Sequence, residues 1–130
     1  MTKEFSSLDE IQKYYDEKSN TYIFKEDGKY IDFVIFNFDL NIDANIDAMA
    51  INARDITALN IDASDINVVY NIKACNINAD NISADNIIAT NIIYYMVCFA
   101  YNNIKCNSIK GRRKNSKHFV FDGKLEIENE

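Results

Sequence analysis

The side chains that carry out chemistry in enzymes are few in this sequence, and their spacing does not bring them together. His118 is the only histidine, and no repeat unit pairs it with a serine or cysteine nucleophile. Aspartates are numerous, but they recur at the turn position of a repeat, which favours backbone bonding over acid–base catalysis. The three glycines are too scattered to build a phosphate-binding loop. We therefore expect no catalytic residue and no cofactor, and a protein that is not an enzyme.

The cysteines are the other side chains that could bind a metal or react. Cys75, Cys98 and Cys106 lack the C-x-x-C spacing of a metal or redox site, and their odd number fits a reduced, cytosolic setting. By their place in the repeat, Cys106 should point inward and the other two outward, as space-filling residues with no metal. There is neither a signal-peptide pattern nor an apolar run long enough to span a membrane. The sequence thus predicts a cytoplasmic protein, in the host cytoplasm if it is phage-encoded.

Charge is distributed unevenly along the chain, whose net charge is −6. Residues 1–104 carry 16 acidic and 7 basic side chains, net −9, whereas residues 105–124 carry 7 basic and 1 acidic, net +6. An acidic surface can bind a basic partner protein, and a basic segment can contact phosphates. The candidate acidic protein-binding residues are Asp43, Asp47, Asp62, Asp65, Asp80 and Asp85. The candidate phosphate-binding residues are Lys105, Lys110, Arg112, Arg113, Lys114 and Lys117.

These charged residues lie on or beside an array with a period of five, which runs from Asn41 to Lys110. Its clearest part, from Asn71 to Tyr95, reads NIKAC NINAD NISAD NIIAT NIIYY. In each pentad, Ile-x-Ala places two apolar side chains on one side of an extended backbone. The Asn or Asp that begins the next pentad suits a turn, because its side chain bonds local backbone. An α-helix is excluded, since a step of five would spread the isoleucines around the axis. The pattern predicts a β-solenoid with inward isoleucines.

The array resembles the pentapeptide-repeat family, whose motif is A(D/N)LxX, over Asn41 to Lys110. Here Ile occupies the central place of Leu or Phe, and the small residue follows it instead of preceding it. The resemblance implies a right-handed, four-sided β-helix with about twenty residues per coil, hence roughly 3.5 coils. The end of the array, from Val97 to Arg113, is similar to small proteins of phages and low-GC Gram-positive bacteria. Some members of the family are acidic DNA mimics, so the resemblance implies an inhibitor role.

The flanking segments are predicted to close the two ends of one folded unit. Residues 1–40 form an N-terminal cap, with a helix over 6–18 and strands 21–24 and 30–40 joined by a hairpin loop. Residues 41–110 form the solenoid. Residues 111–130 form a basic loop and a C-terminal cap, a hairpin of strands 118–121 and 124–127 around Asp122-Gly123.

Outward apolar residues appear late in the array, at Ile88, Ile93 and Tyr95, where earlier pentads carry polar residues. Contiguous exposed apolar groups indicate a covered surface or an interface. We expect either the C-terminal hairpin or a second copy of the chain, in a homodimer, to cover them.

Three functions fit the sequence, and all are non-catalytic. The favoured one is a partly DNA-mimicking inhibitor of a DNA- or RNA-handling host protein, of the topoisomerase or phage anti-defence type. The second is direct nucleic-acid or nucleotide binding through residues 105–117, which would retard DNA or RNA on a gel at low salt. Under the favoured function we expect no such retardation, because the acidic column repels phosphate. The third is a structural repeat protein.

Overall fold

In the computed structural model, which describes residues 1–128, the chain winds into a β-solenoid of about 6 turns. One 3₁₀ helix, Leu8–Tyr14, lies near the start of the chain. No helix within residues 1–128 is long and apolar enough to cross a membrane. The strands are β1 Thr2–Phe5, β2 Tyr15–Asp16, β3 Thr21–Ile23, β4 Lys25–Glu26, β5 Lys29–Tyr30, β6 Phe33–Phe36, β7 Leu40–Asn41, β8 Asn45–Asp47, β9 Ala50–Ala53, β10 Ile56–Thr57, β11 Asn60–Asp62, β12 Asp65–Val68, β13 Asn71–Cys106, β14 Ser108–Gly111, β15 Lys117–Val120 and β16 Leu125–Ile127.

The column has three faces, each a stack of parallel strands. Face A contains β3, β8, β11 and β14, face B contains β1, β6, β9, β12 and β15, and face C contains β7, β10 and β16. Strand β13 winds past all three faces and joins the lower strands to the upper ones. The faces therefore recur in the order A, B, C along the chain.

The predicted β-helix is confirmed, but the coil is smaller than the four-sided one that the resemblance implies. Ile61 pairs with Ile46 and with Ile77, so successive coils in the middle of the array are offset by 15 or 16 residues. Each coil of the array thus takes three pentads in place of four. The 70 residues of the array therefore make about 4.5 coils in place of 3.5, and the flanking strands bring the column to about 6 turns. A period of five keeps the isoleucines inward for any number of corners. A three-sided interior is narrower, and Ile with Ala fills it without Leu or Phe.

The inward places are filled as the repeat predicts. The central isoleucines of the array are all buried, and so are the alanines two residues later. Fully burying one isoleucine contributes about 1.5–3 kcal/mol, so the row of them supports much of the fold. The array holds one extra residue between the buried Ile66 and Ile72, which are six residues apart, and Val69 and Tyr70 between them are exposed.

The asparagines that begin the pentads bond between coils, which differs from the local backbone bonding predicted for them. In the ladder at the start of face A, each amide donates to the same position one coil below: Asn60 to Asn45 at 2.8 Å, Asn76 to Asn60 at 2.7 Å and Asn91 to Asn76 at 2.9 Å. A second ladder joins Asn71, Asn86 and Asn103 before face C. In-register parallel stacking puts identical side chains about 4.8 Å apart, so an amide donor meets the next amide oxygen.

The N-terminal cap is built around buried aromatic rings. The predicted helix is shorter, Leu8–Tyr14, and its Ile11 and Tyr14 are buried at the lower end of the column. Tyr14 lies against Phe5 and Phe24, with ring centroids 5.6 and 5.2 Å apart. The helix therefore covers inward residues that would otherwise meet water.

The hairpin predicted within the N-terminal cap is smaller than expected. Strands β3 and β6 are parallel members of faces A and B, and the hairpin between them is reduced to the antiparallel pair β4 and β5. The other antiparallel pair of the cap joins β2 to β3. Asp27 and Gly28 between β4 and β5 have φ of 53° and 78°. An Asp-Gly pair with two positive φ values suits a two-residue turn, which is why the hairpin closes there.

The C-terminal hairpin is not formed, which corrects the cap predicted for residues 111–130. Strands β15 and β16 each pair in parallel with β13, at Val97–Ala100 and at Ile104–Cys106, and extend the column. At Gly123 the chain passes so close to the Asn102 backbone that only glycine fits, since a Cβ on it would lie 1.7 Å from the Asn102 carbonyl oxygen. Parallel stacking continues the register of the coil below, whereas a hairpin would end it.

A register shift at the top of β13 changes which residues face outward. The repeat predicts Val97 and Phe99 inward and Cys98 outward, but Cys98 and Ala100 are buried and Val97 and Phe99 face outward. The corner after Tyr94 holds one extra residue. The inward residues Ile92 and Cys98 are therefore six residues apart, where the repeat has five. The predictions for the other two thiols are confirmed, because Cys75 is exposed and Cys106 is buried.

Candidate functional site

The six candidate acidic residues lie on several sides of the column. Asp47 and Asp62 pair in register on face A, and Asp80 lines the same depression at the next corner. Asp65 lies on face B, where its carboxylate accepts a hydrogen bond from the Asn81 amide at 2.9 Å. The other two, Asp43 and Asp85, follow the strands of faces C and B respectively. The structure therefore groups three of the six and disperses the rest.

The carboxylates of face A interact with two neighbouring side chains. The Tyr30 hydroxyl donates a hydrogen bond to Asp47 Oδ1 at 2.7 Å, which together with burial raises the pKa of Tyr30 to about 12. Burial and then the charge of Asp47 raise the pKa of Asp62, while Arg112 partly opposes them. No group of three or more metal-ligating side chains occurs among residues 1–128. Face A is thus a small acidic area, partly neutralised by Arg112.

The six candidate basic residues also separate in space. Lys105 lies on face C and forms an ion pair with Glu128 at 3.2 Å, whereas Lys110 pairs in register with Ile93 on face A. The remaining residues follow the corner between faces A and B, where the Arg113 guanidinium lies 5.2 Å from the Tyr95 ring centroid. Lys117 is at the start of β15 on face B, in register with Val97. We call Arg113, Lys114 and Lys117 the basic corner.

The loop that carries the basic corner is held to the column. Ser116 Oγ donates to the Tyr95 carbonyl oxygen at 2.7 Å and accepts from the Arg113 amide at 2.9 Å. Gly111 permits this approach, because a Cβ there would lie 2.2 Å from the Ser116 Cβ. The basic corner is therefore positioned beside face B by backbone and hydroxyl contacts.

The predicted apolar interface residues are exposed and lie on different sides. Ile88 lies on face C near Lys73 and Lys105, Ile93 lies on face A, and Tyr95 lies at the corner between faces A and B. The C-terminal strands extend the column and leave these three side chains uncovered, which corrects the predicted C-terminal cover. A second copy of the chain at this place stays a prediction.

Sequence reasoning missed a cluster of four rings on face B and at its corner with face C, three of them exposed and the fourth, Phe99, half-buried. Phe99 lies against Phe119 with ring centroids 5.0 Å apart, and Tyr101 lies against Phe121 at 5.2 Å. We call these four rings the aromatic surface. An open depression of about 540 Å³ adjoins it, lined by Val97, Phe99 and Phe119 with polar residues of the lower strands. The F-V-F spacing at 119–121 was a signal for two of the rings; the register shift concealed the other two.

Inside the top of the column, Tyr94, Cys98 and Cys106 are buried, and His118 is half-buried. The Tyr94 hydroxyl and His118 Nδ1 are hydrogen-bonded at 2.6 Å. Burial raises the pKa of Cys98 to about 12 and also raises the pKa of Cys106, so neither thiol is a thiolate near neutral pH. A neutral, buried thiol is a poor nucleophile. This interior cluster therefore packs the fold.

Comparison with protein families, with curated proteins and with solved structures finds no match to this chain. Function is therefore inferred from the chain's own surfaces, of which the aromatic surface and the adjoining basic corner are the most distinctive.

Proposed function

We propose that this chain is a non-catalytic β-solenoid that binds another macromolecule through the aromatic surface. The observation that supports it most is the contrast along face B. At the outward position of Phe99 and Phe119, the three strands directly below carry Asn52, Asn67 and Ser83. Exposed apolar groups gathered in one place above a polar stretch mark a contact site.

Binding at the aromatic surface has more support than DNA mimicry by the acidic residues. Six strands stacked at about 4.8 Å span about 24 Å, a length over which duplex DNA carries about 14 phosphate charges. Face A offers Asp47 and Asp62 as its in-register pair, with Arg112 opposing their charge. We therefore place the inhibitor role at the acidic residues second, and a purely structural role third because it leaves the exposed rings without a purpose.

The test compares two phenylalanines that are almost equally exposed but lie at opposite ends of the column. Phe119 is 48% exposed in the aromatic surface, and Phe33 is 49% exposed on face B at the other end of the column. Tagged wild-type protein, Phe119→Ser and Phe33→Ser are used to capture macromolecules from a bacterial lysate, and both proteins and nucleic acids are quantified. We expect a captured species to be lost with Phe119→Ser and retained with Phe33→Ser. Equal retention by all three proteins, or no specific capture, contradicts the proposal.

A further inference from the structure

Resting on the proposed function, we propose that the macromolecule is a single-stranded nucleic acid whose bases stack on the aromatic surface and whose phosphates contact the basic corner. Phe119 lies on β15 and Phe121 lies at the bend directly after it, and each ring packs against a ring of the coil below. Phe121 is 70% exposed, so a base can cover its outer side. Rings displayed on a β-sheet commonly stack two or three unpaired bases.

The charges beside the rings are complementary to phosphate. Lys117 precedes Phe119 by two residues on β15, and Arg113 and Lys114 lie on the loop that leads into this strand. Within residues 1–128, no carboxylate lies within ion-pair distance of these three cations. They are therefore available to phosphates, whose contacts supply most of the sequence-independent affinity for nucleic acid.

Negative charges border the other end of the aromatic surface and limit the path of the strand. Asp122 follows Phe121, and Asp85 is one coil below Tyr101. Asp65 is three strands below Lys117, a separation of about 14 Å that exceeds the Debye length of about 8 Å at physiological salt. The phosphates should therefore run on the Lys117 side, and the bases should reach over toward Phe121.

The extent and kind of the surface favour this occupant over a second copy of the chain. Four rings that would each bury about 150–250 Å² offer about 400 Å² when half-exposed, roughly half of what one partner buries in a standard interface. Duplex nucleic acid hides its base faces inside the stack and cannot use the rings. A single strand uses both the rings and the cations.

The experiment measures fluorescence anisotropy of the full chain with labelled 20-nucleotide oligo-dT, 20-nucleotide oligo-U and a 20-base-pair duplex. We expect both single strands to bind more tightly than the duplex, with oligo-dT and oligo-U distinguishing a DNA from an RNA preference. Phe119→Ala and Phe121→Ala should each weaken binding about 10-fold, from the loss of one stacked base. Phe33→Ala, matched to Phe119 in type and exposure, should leave binding unchanged. Circular dichroism checks that each variant remains folded.

Salt dependence tests the basic corner separately. Three phosphate contacts on a single strand predict a slope of about −2 in log K against log salt, hence about a 20-fold loss between 50 and 200 mM. The double variant Lys114→Ala, Lys117→Ala should reduce the slope by about 1.4. The charge-matched control is Lys18→Ala, Lys29→Ala, which alters two exposed lysines at the N-terminal end. This control should keep the wild-type slope.

Two results would overturn the inference. One is the absence of single-strand binding at 50 mM salt; the other is equal binding of duplex and single strands that both phenylalanine variants leave unchanged. If Phe119-dependent capture from lysate then yields a protein, the proposed function survives and the occupant is a protein. If Phe119 alters neither oligonucleotide binding nor capture, both proposals are refuted.

Discussion

The asparagine ladder at the start of face A should contribute measurably to stability, and Asn76 is the position that tests it. Its amide donates to Asn60 Oδ1 at 2.7 Å, and its own Oδ1 accepts from the Asn91 amide at 2.9 Å. Asn76→Ala removes both bonds and interrupts the ladder at its middle. The matched control is Asn78→Ala, because Asn78 points outward from the same strand and its side chain forms no hydrogen bond within residues 1–128.

The expected size of the effect follows from the two bonds. Each hydrogen bond contributes about 0.5–1.5 kcal/mol net, and water can replace part of it because Asn76 is exposed. We therefore expect Asn76→Ala to lower the free energy of unfolding by about 1–2 kcal/mol. A 130-residue chain has an unfolding entropy of about 0.27 kcal/mol/K at the melting temperature. The melting temperature should fall by about 4–8 °C for Asn76→Ala and by under about 2 °C for Asn78→Ala.

The assay is thermal unfolding of wild type and both variants, followed by circular dichroism and checked by calorimetry for two-state behaviour. Equal melting temperatures for Asn76→Ala and Asn78→Ala would show that the ladder adds nothing beyond what water supplies. A larger fall for Asn78→Ala would mean that the outward side chains of face A matter more than the ladder, and would refute the reasoning.

Three further outcomes follow from burial and from the cited pKa values. Ile77→Asp should unfold the protein, because an unpaired carboxylate at this buried position costs several kcal/mol; circular dichroism would then lose its strand signal. At pH 8, a thiol reagent should modify Cys75 in the folded protein and reach Cys98 only after denaturant is added, and rapid labelling of three thiols would contradict this. The pKa of Tyr30 is about 12 against an ordinary value of 10, so its bond to Asp47 stabilises the fold fully below pH 10 and is lost as pH rises through 12. Tyr30→Phe should remove this part of the alkaline loss, measured as the urea midpoint between pH 9 and pH 12.

The inward half of the fold was predictable from sequence, because Ile-x-Ala at a period of five leaves one consistent apolar side. The number of faces was not, since a pentad can turn through a sharper or a wider corner with the same residues inside. The asparagines were assigned to local turns because a sequence does not display its neighbour one coil away; Asn60 meets Asn76 only after the coil length is known.

The candidate site was less predictable than the core, for a related reason. A single extra residue after Tyr94 exchanges the inward and outward sides of the segment that follows. The repeat therefore assigned Phe99 to the interior, although its ring lies against Phe119 on the outside. The basic residues were identifiable by type, but the side of the column on which each one lies was not. Whether a lysine or arginine pairs with Glu128, lies near the acidic residues of face A or joins the basic corner depends on where the chain turns.

The three-pentad coil means that the direction in which a side chain points is set by counting residues from the N-terminus. Deleting one pentad, such as residues 76–80, would turn everything that follows by about 120° around the column axis. The inward isoleucines would find equivalent places, but the aromatic surface would be carried to another side, away from the polar stretch now below it. Deleting one whole coil, such as the sixteen residues 61–76, would keep every face aligned and shorten the column by one strand. Length changes in such a chain should therefore be tolerated in whole coils and redirect its binding surface otherwise.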